Sequence, residues 1–146
     1  MTVQVLAFSD LDARTAYDVW RLRQDVFVVE QACPYPDLDG RDPEPGTRHL
    51  LLTADDGTLT GYLRLLDDGD VARIGRVLLV RSARGQGLAD GLMRAALAEC
   101  GDRPVVLDAQ SPLRPWYEGF GFEVDGPEFL EDGIPHLPMR RAGFTG

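Results

Sequence analysis

Residues 76–89 read Arg-Val-Leu-Leu-Val-Arg-Ser-Ala-Arg-Gly-Gln-Gly-Leu-Ala, passing from an apolar strand-like run through a short basic loop and two glycines into the start of an amphipathic helix. The first N–H groups of a helix lack internal partners and lie at the positive end of its dipole, so this junction predicts an anion site. Gly85 and Gly87 would let the backbone curl closely around a phosphate, where a Cβ would obstruct it. Arg84, with Arg81, stands ready to add charge-assisted contacts. Arg73, Arg76, Arg81 and Arg84 form a positive island in a chain whose formal charge is −9.

The segment admits two other readings. A dinucleotide-binding loop would need a third glycine at position 90, which is Asp90, and would follow a first strand rather than lie in mid-chain. A glycine turn that merely links strand to helix is the plain structural alternative.

Working outward, Leu88, Ala89, Leu92, Met93, Ala96, Leu97 and Cys100 fall on one face of a predicted helix, with Asp90 and Arg94 four apart on the other. Gly101 is a suitable stop. Strands are predicted at 72–80 before it and at 104–109 after it, the second short and buried. Upstream, 49–53 and 59–66 read as strands joined by a turn at Asp56-Gly57. The chain opens on a short strand marked by Val3, Val5 and Ala7. Ser9 and Asp12 then resemble a capping box for a helix through Tyr17, Trp20 and Val26 or Phe27, which Pro34 and Pro36 must stop. Residues 34–47 form a loop rich in Pro, Asp and Gly. An EF-hand counted from Asp37 would need Gly and Glu where Asp42 and Arg48 stand, so Asp37, Asp39 and Asp42 read as a solvated acidic loop. The tail returns to extended structure at 122–124 and 134–140, with Gly-Pro and Asp-Gly punctuation between.

At 146 residues and 44% hydrophobic composition the chain suits one domain, residues 1–146, able to bury roughly 68–70% of its unfolded surface. All 15 basic side chains are Arg, and there is neither Lys nor Asn. The missing Lys excludes a Gly-Lys-Ser/Thr phosphate loop, the strand lysine of protein kinases and Schiff-base chemistry. Without Asn there is no N-glycosylation site, and Ser9, Ser82 and Ser111 lie in no Gly-x-Ser-x-Gly elbow. The negative charge argues against nucleic acid and anionic membranes, and favours small cationic or amine-bearing partners. Cys33 and Cys100 lack metal-ligand spacing and read as reduced thiols. Cys33 as a nucleophile with His49 or His136 would have no Asn to orient the base. No membrane span or export pattern is legible, so the expectation is a soluble cytoplasmic protein without a metal.

Arg84-Gly85-Gln86-Gly87-Leu88-Ala89 resembles the Arg/Gln-x-x-Gly-x-Gly/Ala signature of the GNAT superfamily of acyl-CoA-dependent N-acyltransferases, with strand and helix in the expected places. Val-Phe-Val-Val-Glu-Gln at 26, Cys-Pro-Tyr at 33, Asp-Leu-Asp-Gly at 37, Arg-His-Leu at 48, Trp-Tyr-Glu-Gly-Phe-Gly-Phe at 116 and Glu-Asp-Gly-Ile-Pro-His at 131 look like its ElaA-like branch. The resemblance implies an α/β (α+β) fold: a central, mostly antiparallel twisted sheet with a splay between two parallel strands, flanked by helices. It implies acetyl-CoA as co-substrate and an amine-bearing acceptor, and makes a homodimer plausible. It places the pyrophosphate on Arg84, Gly85, Gln86, Gly87, Leu88 and Ala89, with Asp90 through its backbone N–H. Pantetheine would pair with Leu78, Leu79 and Val80, and the thioester would emerge near Gln110 and Trp116-Tyr117.

The implied chemistry is direct attack of a neutral amine on the thioester, with a backbone N–H near Leu78 stabilising the oxyanion. Tyr117 matches the family's tyrosine, and phenols, at ~10 against ~8.5 for a thiol, can protonate the leaving thiolate. A core aromatic beside Trp116 and Phe120 is the structural alternative. Pro115 removes a donor near the start of the helix bearing Tyr117, a reason to expect a late start and a displaced phenol. The strand before the signature carries Arg73 and Arg76 and no carboxylate, so Glu30, His49, His136 or a water relay remain open as the base. That missing carboxylate also motivates an acyl-CoA sensor with little turnover as the alternative function.

Overall fold

The computed structural model describes residues 1–143; the last three of the expected domain lie outside the described residues. An eight-stranded mixed sheet runs in the order β1, β2, β3, β4, β5, β8, β6, with β7 also pairing β8. Its strands are β1 (Thr2–Leu6), β2 (Arg48–Thr53), β3 (Leu59–Asp67), β4 (Ala72–Leu79), β5 (Val105–Gln110), β6 (Glu123–Val124), β7 (Phe129–Glu131) and β8 (Ile134–Arg141). All pairs are antiparallel except β4 with β5. The helices are α1 (Ala13–Arg23), α2 (Ala89–Cys100) and α3 (Arg114–Glu118). Among the described residues no helix is long and apolar enough to cross a membrane.

Period-two alternation sends the strand side chains to two faces. Leu50, Leu52, Leu63 and Leu65 meet Leu92, Met93, Ala96 and Cys100 of α2 on one face. Leu51, Tyr62 and Leu78 meet Val19 of α1 and Val26 on the other. Leu92 and Met93 are fully buried, each contributing roughly 1.5–3 kcal/mol of transfer free energy. Gly61 lets α2 approach closely, since a Cβ there would lie 2.7 Å from Leu79 Cδ2 and 3.1 Å from Leu92 Cδ1.

Three expectations need correction. Asp12, not a Ser9 box, caps α1, accepting from Thr15 N–H at 2.7 Å. The helix does not run as α-helix to the prolines but continues as a π-helix over Gln24–Glu30. The Asp-Gly of the tail is a two-residue hairpin, Asp132 at φ +50° and Gly133 at φ +79°, which adds strand β7. Asp90, four residues before Arg94 on α2, accepts from Trp116 Nε1 at 2.8 Å.

Candidate active site

Strands β4 and β5 pair only at Ala72/Val105 and Arg73/Val106, and then diverge. The divergence has a local cause in β4, where Arg76 and Val77 stand opposite Leu63 alone and Arg76 takes φ +53°. A bulge of this kind bends its strand and interrupts regular pairing. The resulting cleft, about 520 Å³, is lined by Leu79, Arg84, Ala89 and Tyr117 and, from β5 and β8, by Gln110 and His136. Val80 N–H donates to Thr60 O on β3 at 2.8 Å. Strand alternation therefore turns Leu78 N–H, opposite Tyr62, toward β3 as well. Leu79 turns its backbone groups to the splay, where its carbonyl accepts from Arg84 Nε at 3.0 Å. Of Leu78, Leu79 and Val80, Leu79 thus offers the free strand edge, a shift of one residue from the expected donor.

At the cofactor end, Gly85 (φ +77°) and Gly87 (φ +73°) take backbone conformations that L side chains rarely adopt, and a Cβ at either would meet nothing within 4 Å. They are required by torsion, and they border open space of the kind a phosphate fills. Among the described residues, the N–H groups of Gly85, Gln86, Gly87 and Leu88 have no hydrogen-bond acceptor. Four consecutive free amides at the start of α2 fit a pyrophosphate. Asp90 is a correction: its N–H is bonded to Gly87 O at 3.3 Å and its carboxylate holds Trp116. Gln86 folds back on Ser82 O at 3.1 Å.

The positive island is also less free than its sequence suggests. Arg73 pairs with Asp68, Arg76 with Asp37, Arg81 with Glu30, and Arg84 with Glu30. An anion placed here would meet backbone amides first, with Arg84 as a cation whose partner can be exchanged.

Helix α3 begins at Arg114, directly after a 3-10 turn, so Pro115 falls in its first turn. A missing N–H there costs nothing, and no late start results. Tyr117 is 5% exposed and packs edge-on to Trp116 and Phe122. Its hydroxyl has no hydrogen-bond partner among the described residues and is not among the fully buried orphan atoms, so it opens onto the cleft it lines. Burial pushes the phenol up to about 12. With Trp116 tied to Asp90, the phenol is fixed beside the first turn of α2.

The acceptor-side candidates separate. His49 does not line the cleft. It is fully buried on β2, with Nδ1 2.6 Å from Tyr62 Oη and Nε2 3.0 Å from Asp42 O. A carbonyl can only accept, so Nε2 donates and Nδ1 accepts, both nitrogens are used, and burial lowers the imidazole below its ordinary value. Glu30, Gln110 and His136 do line the cleft. Glu30 closes the π-helix, whose wider turn, marked by Gln31 N–H to Val26 O at 3.2 Å, sets Val26, Phe27, Glu30 and Gln31 along one wall. The Arg84 hydrogen bonds lower the Glu30 carboxyl below its ordinary value. Gln110 ends β5 and donates to Gln31 Oε1 at 3.4 Å. His136 stands opposite Gln110 on β8.

The acidic loop is not the solvated one expected. Asp37 and Asp42 are buried counter-ions of Arg23, whose Nε and Nη1 reach them at 3.0 and 2.6 Å. Arg64 holds Asp39 at 2.8 Å and Asp42 at 3.3 Å, and Arg76 holds Asp37 at 2.9 Å. These aspartates therefore do not serve a cationic acceptor; they join α1 to β3 and β4 under the cleft floor. The sequence signal was there, in arginines at inward positions of strands and helix, but Arg23, Arg64 and Arg76 gain meaning only beside the loop.

A model for an acetyltransferase (GNAT) domain matches residues 25–142. The UPF0039 protein of Mycobacterium tuberculosis is 55% identical over 138 residues, covering 92% of this chain and 88% of that protein. Protein ElaA of Escherichia coli is 41% identical over 145 residues, covering 94% of each, and its crystal structure superposes with TM-score 0.91 over 97% of this chain and 99% of that one. An acyl-CoA N-acyltransferase from Pseudomonas aeruginosa superposes equally well, TM-score 0.91 at 41% identity, over 97% of this chain and 100% of that one. The chain therefore belongs to the GNAT family of acyltransferases, alongside ElaA.

Proposed function

We propose that the cleft transfers an acetyl group from acetyl-CoA to a primary amine by direct attack in a ternary complex. The observation that carries this reading is the run of free amides from Gly85 to Leu88 at one end of the cleft whose wall also presents the Tyr117 phenol. Those amides would hold the pyrophosphate with Arg84, and pantetheine would extend along Leu79 as an added strand. The carbonyl oxygen of the thioester then has a backbone donor on the splayed edge for its developing charge. Tyr117, protonated throughout the neutral range because burial disfavours its anion, supplies a proton to the leaving thiolate. A cytoplasmic setting, with acetyl-CoA at hand, agrees with two free buried thiols, Cys33 and Cys100.

The test is acetyl-CoA incubated with a panel of primary amines, with thiol release and acetylated amine measured together. Amine-dependent release of CoA with matching product supports the transferase. Tight binding of acetyl-CoA without amine-dependent release identifies a sensor instead.

A further inference from the structure

His136 lines the cleft with one ring nitrogen fixed by the backbone, whereas His49 lies outside it with both nitrogens used. His136 Nδ1 lies 2.7 Å from Ile134 O. A carbonyl accepts only, so Nδ1 carries the proton in the neutral ring and Nε2 keeps its lone pair. The ring stacks on Phe129 at 5.8 Å between centroids and 23° between planes, which fixes its orientation. It sits opposite Gln110, the last residue of β5, on the side of the splay away from the phosphate loop. Nε2 is 3.9 Å from Glu131 Oε2. Other charged groups lining the cleft are Asp132 in the β7–β8 turn, Asp108 on β5, Arg64 on β3, and Arg73 and Arg76 on β4. The three arginines already have aspartate partners.

We propose that His136 Nε2 is the general base that takes the proton from the bound acceptor ammonium, so that the amine attacks the thioester from the β8 side of the cleft. This rests on the acyltransferase reading above. The ammonium gives one proton to Nε2, and its freed lone pair forms the C–N bond. The carbonyl becomes an oxyanion, and its collapse breaks the C–S bond. The second proton, lost from the nitrogen, replaces through water the one that Tyr117 gives to the thiolate. Products are the amide, CoA thiol and a proton on His136 that passes to solvent.

The experiment is His136→Gln in the full chain, with acetyl-CoA affinity, melting temperature and the pH profile of kcat at saturating substrates. The expected result is unchanged acetyl-CoA binding and melting, a fall in kcat of about a hundredfold, within the usual range for general acid–base groups, loss of the acidic limb of the profile, and partial rescue by added imidazole. A retained limb or near wild-type kcat overturns the assignment while leaving the transferase intact; absence of amine-dependent turnover in the wild type overturns the function itself. If the variant binds acetyl-CoA poorly, His136→Ala decides: imidazole added at saturating acetyl-CoA must restore amine-dependent turnover, and no rescue overturns the proposal.

Discussion

Arg84 and Glu30 meet face to face across 54 residues of sequence, the guanidinium donating to both carboxylate oxygens at 2.8 and 3.0 Å. The pair joins the π-helical wall of the cleft to the phosphate loop. An incoming pyrophosphate competes with Glu30 for the same cation. Glu30→Gln is therefore expected to tighten acetyl-CoA binding, by up to about fivefold, since partly exposed pairs are worth ~0.2–1 kcal/mol. Arg84→Ala removes a charge-assisted contact and should weaken binding about tenfold or more. Isothermal titration at two salt concentrations checks both signs.

Tyr117→Phe keeps the ring that packs on Trp116 and Phe122 and removes only the hydroxyl. A fall in kcat of about a hundredfold is expected, with the dissociation constant for acetyl-CoA within about twofold. A fully active variant would falsify the acid role. Ultraviolet titration should show three phenols, Tyr35, Tyr62 and Tyr117, ionising above the usual value in the wild type, and two in the variant.

At Gly87, φ +73° makes any side chain strained by about 1–2 kcal/mol. Gly87→Ala is expected to lower the melting temperature by a few degrees and to weaken acetyl-CoA binding further, because the methyl enters the open cradle. Equal affinity for wild type and variant would remove the phosphate assignment.

Arg23 is completely buried between Asp37 and Asp42. Truncating one member of such a cluster leaves uncompensated buried charge, so Arg23→Ala should cost about 3–5 kcal/mol. Urea denaturation measures the loss. Failure to lose stability would mean that the cluster is not a structural element of the α1 face.

Burial alone would raise the Asp39 carboxyl, but the Arg64 hydrogen bonds and neighbouring guanidinium charges outweigh it and hold the group well below the usual range. With a folded value below the unfolded ~3.9, its stabilisation is fully present above that pH and is lost as pH falls through the folded value. The melting temperature should therefore drop below about pH 4, and Asp39→Asn should flatten that part of the curve. A variant whose acid limb matches wild type would contradict this linkage.

The stretch at 76–89 determined the anion loop by itself, because left-handed glycines and a helix N-terminus are local properties of the chain, requiring no distant partner. Alternation and period likewise marked most of the strands and α2. Tertiary structure decided which charges are available. Arg73, Arg76, Arg81 and Arg84 read as a free cationic patch, yet each has a carboxylate partner brought from elsewhere in the chain. Asp37 and Asp42 read as solvated, yet they are buried with Arg23. His49 and His136 were equivalent candidates in the sequence and differ only in surroundings, one enclosed by Tyr62 and Asp42, the other with one nitrogen on the cleft. Torsion and periodicity act between neighbours along the chain and are legible there; burial and charge pairing act through space, and only the folded sheet sets those distances.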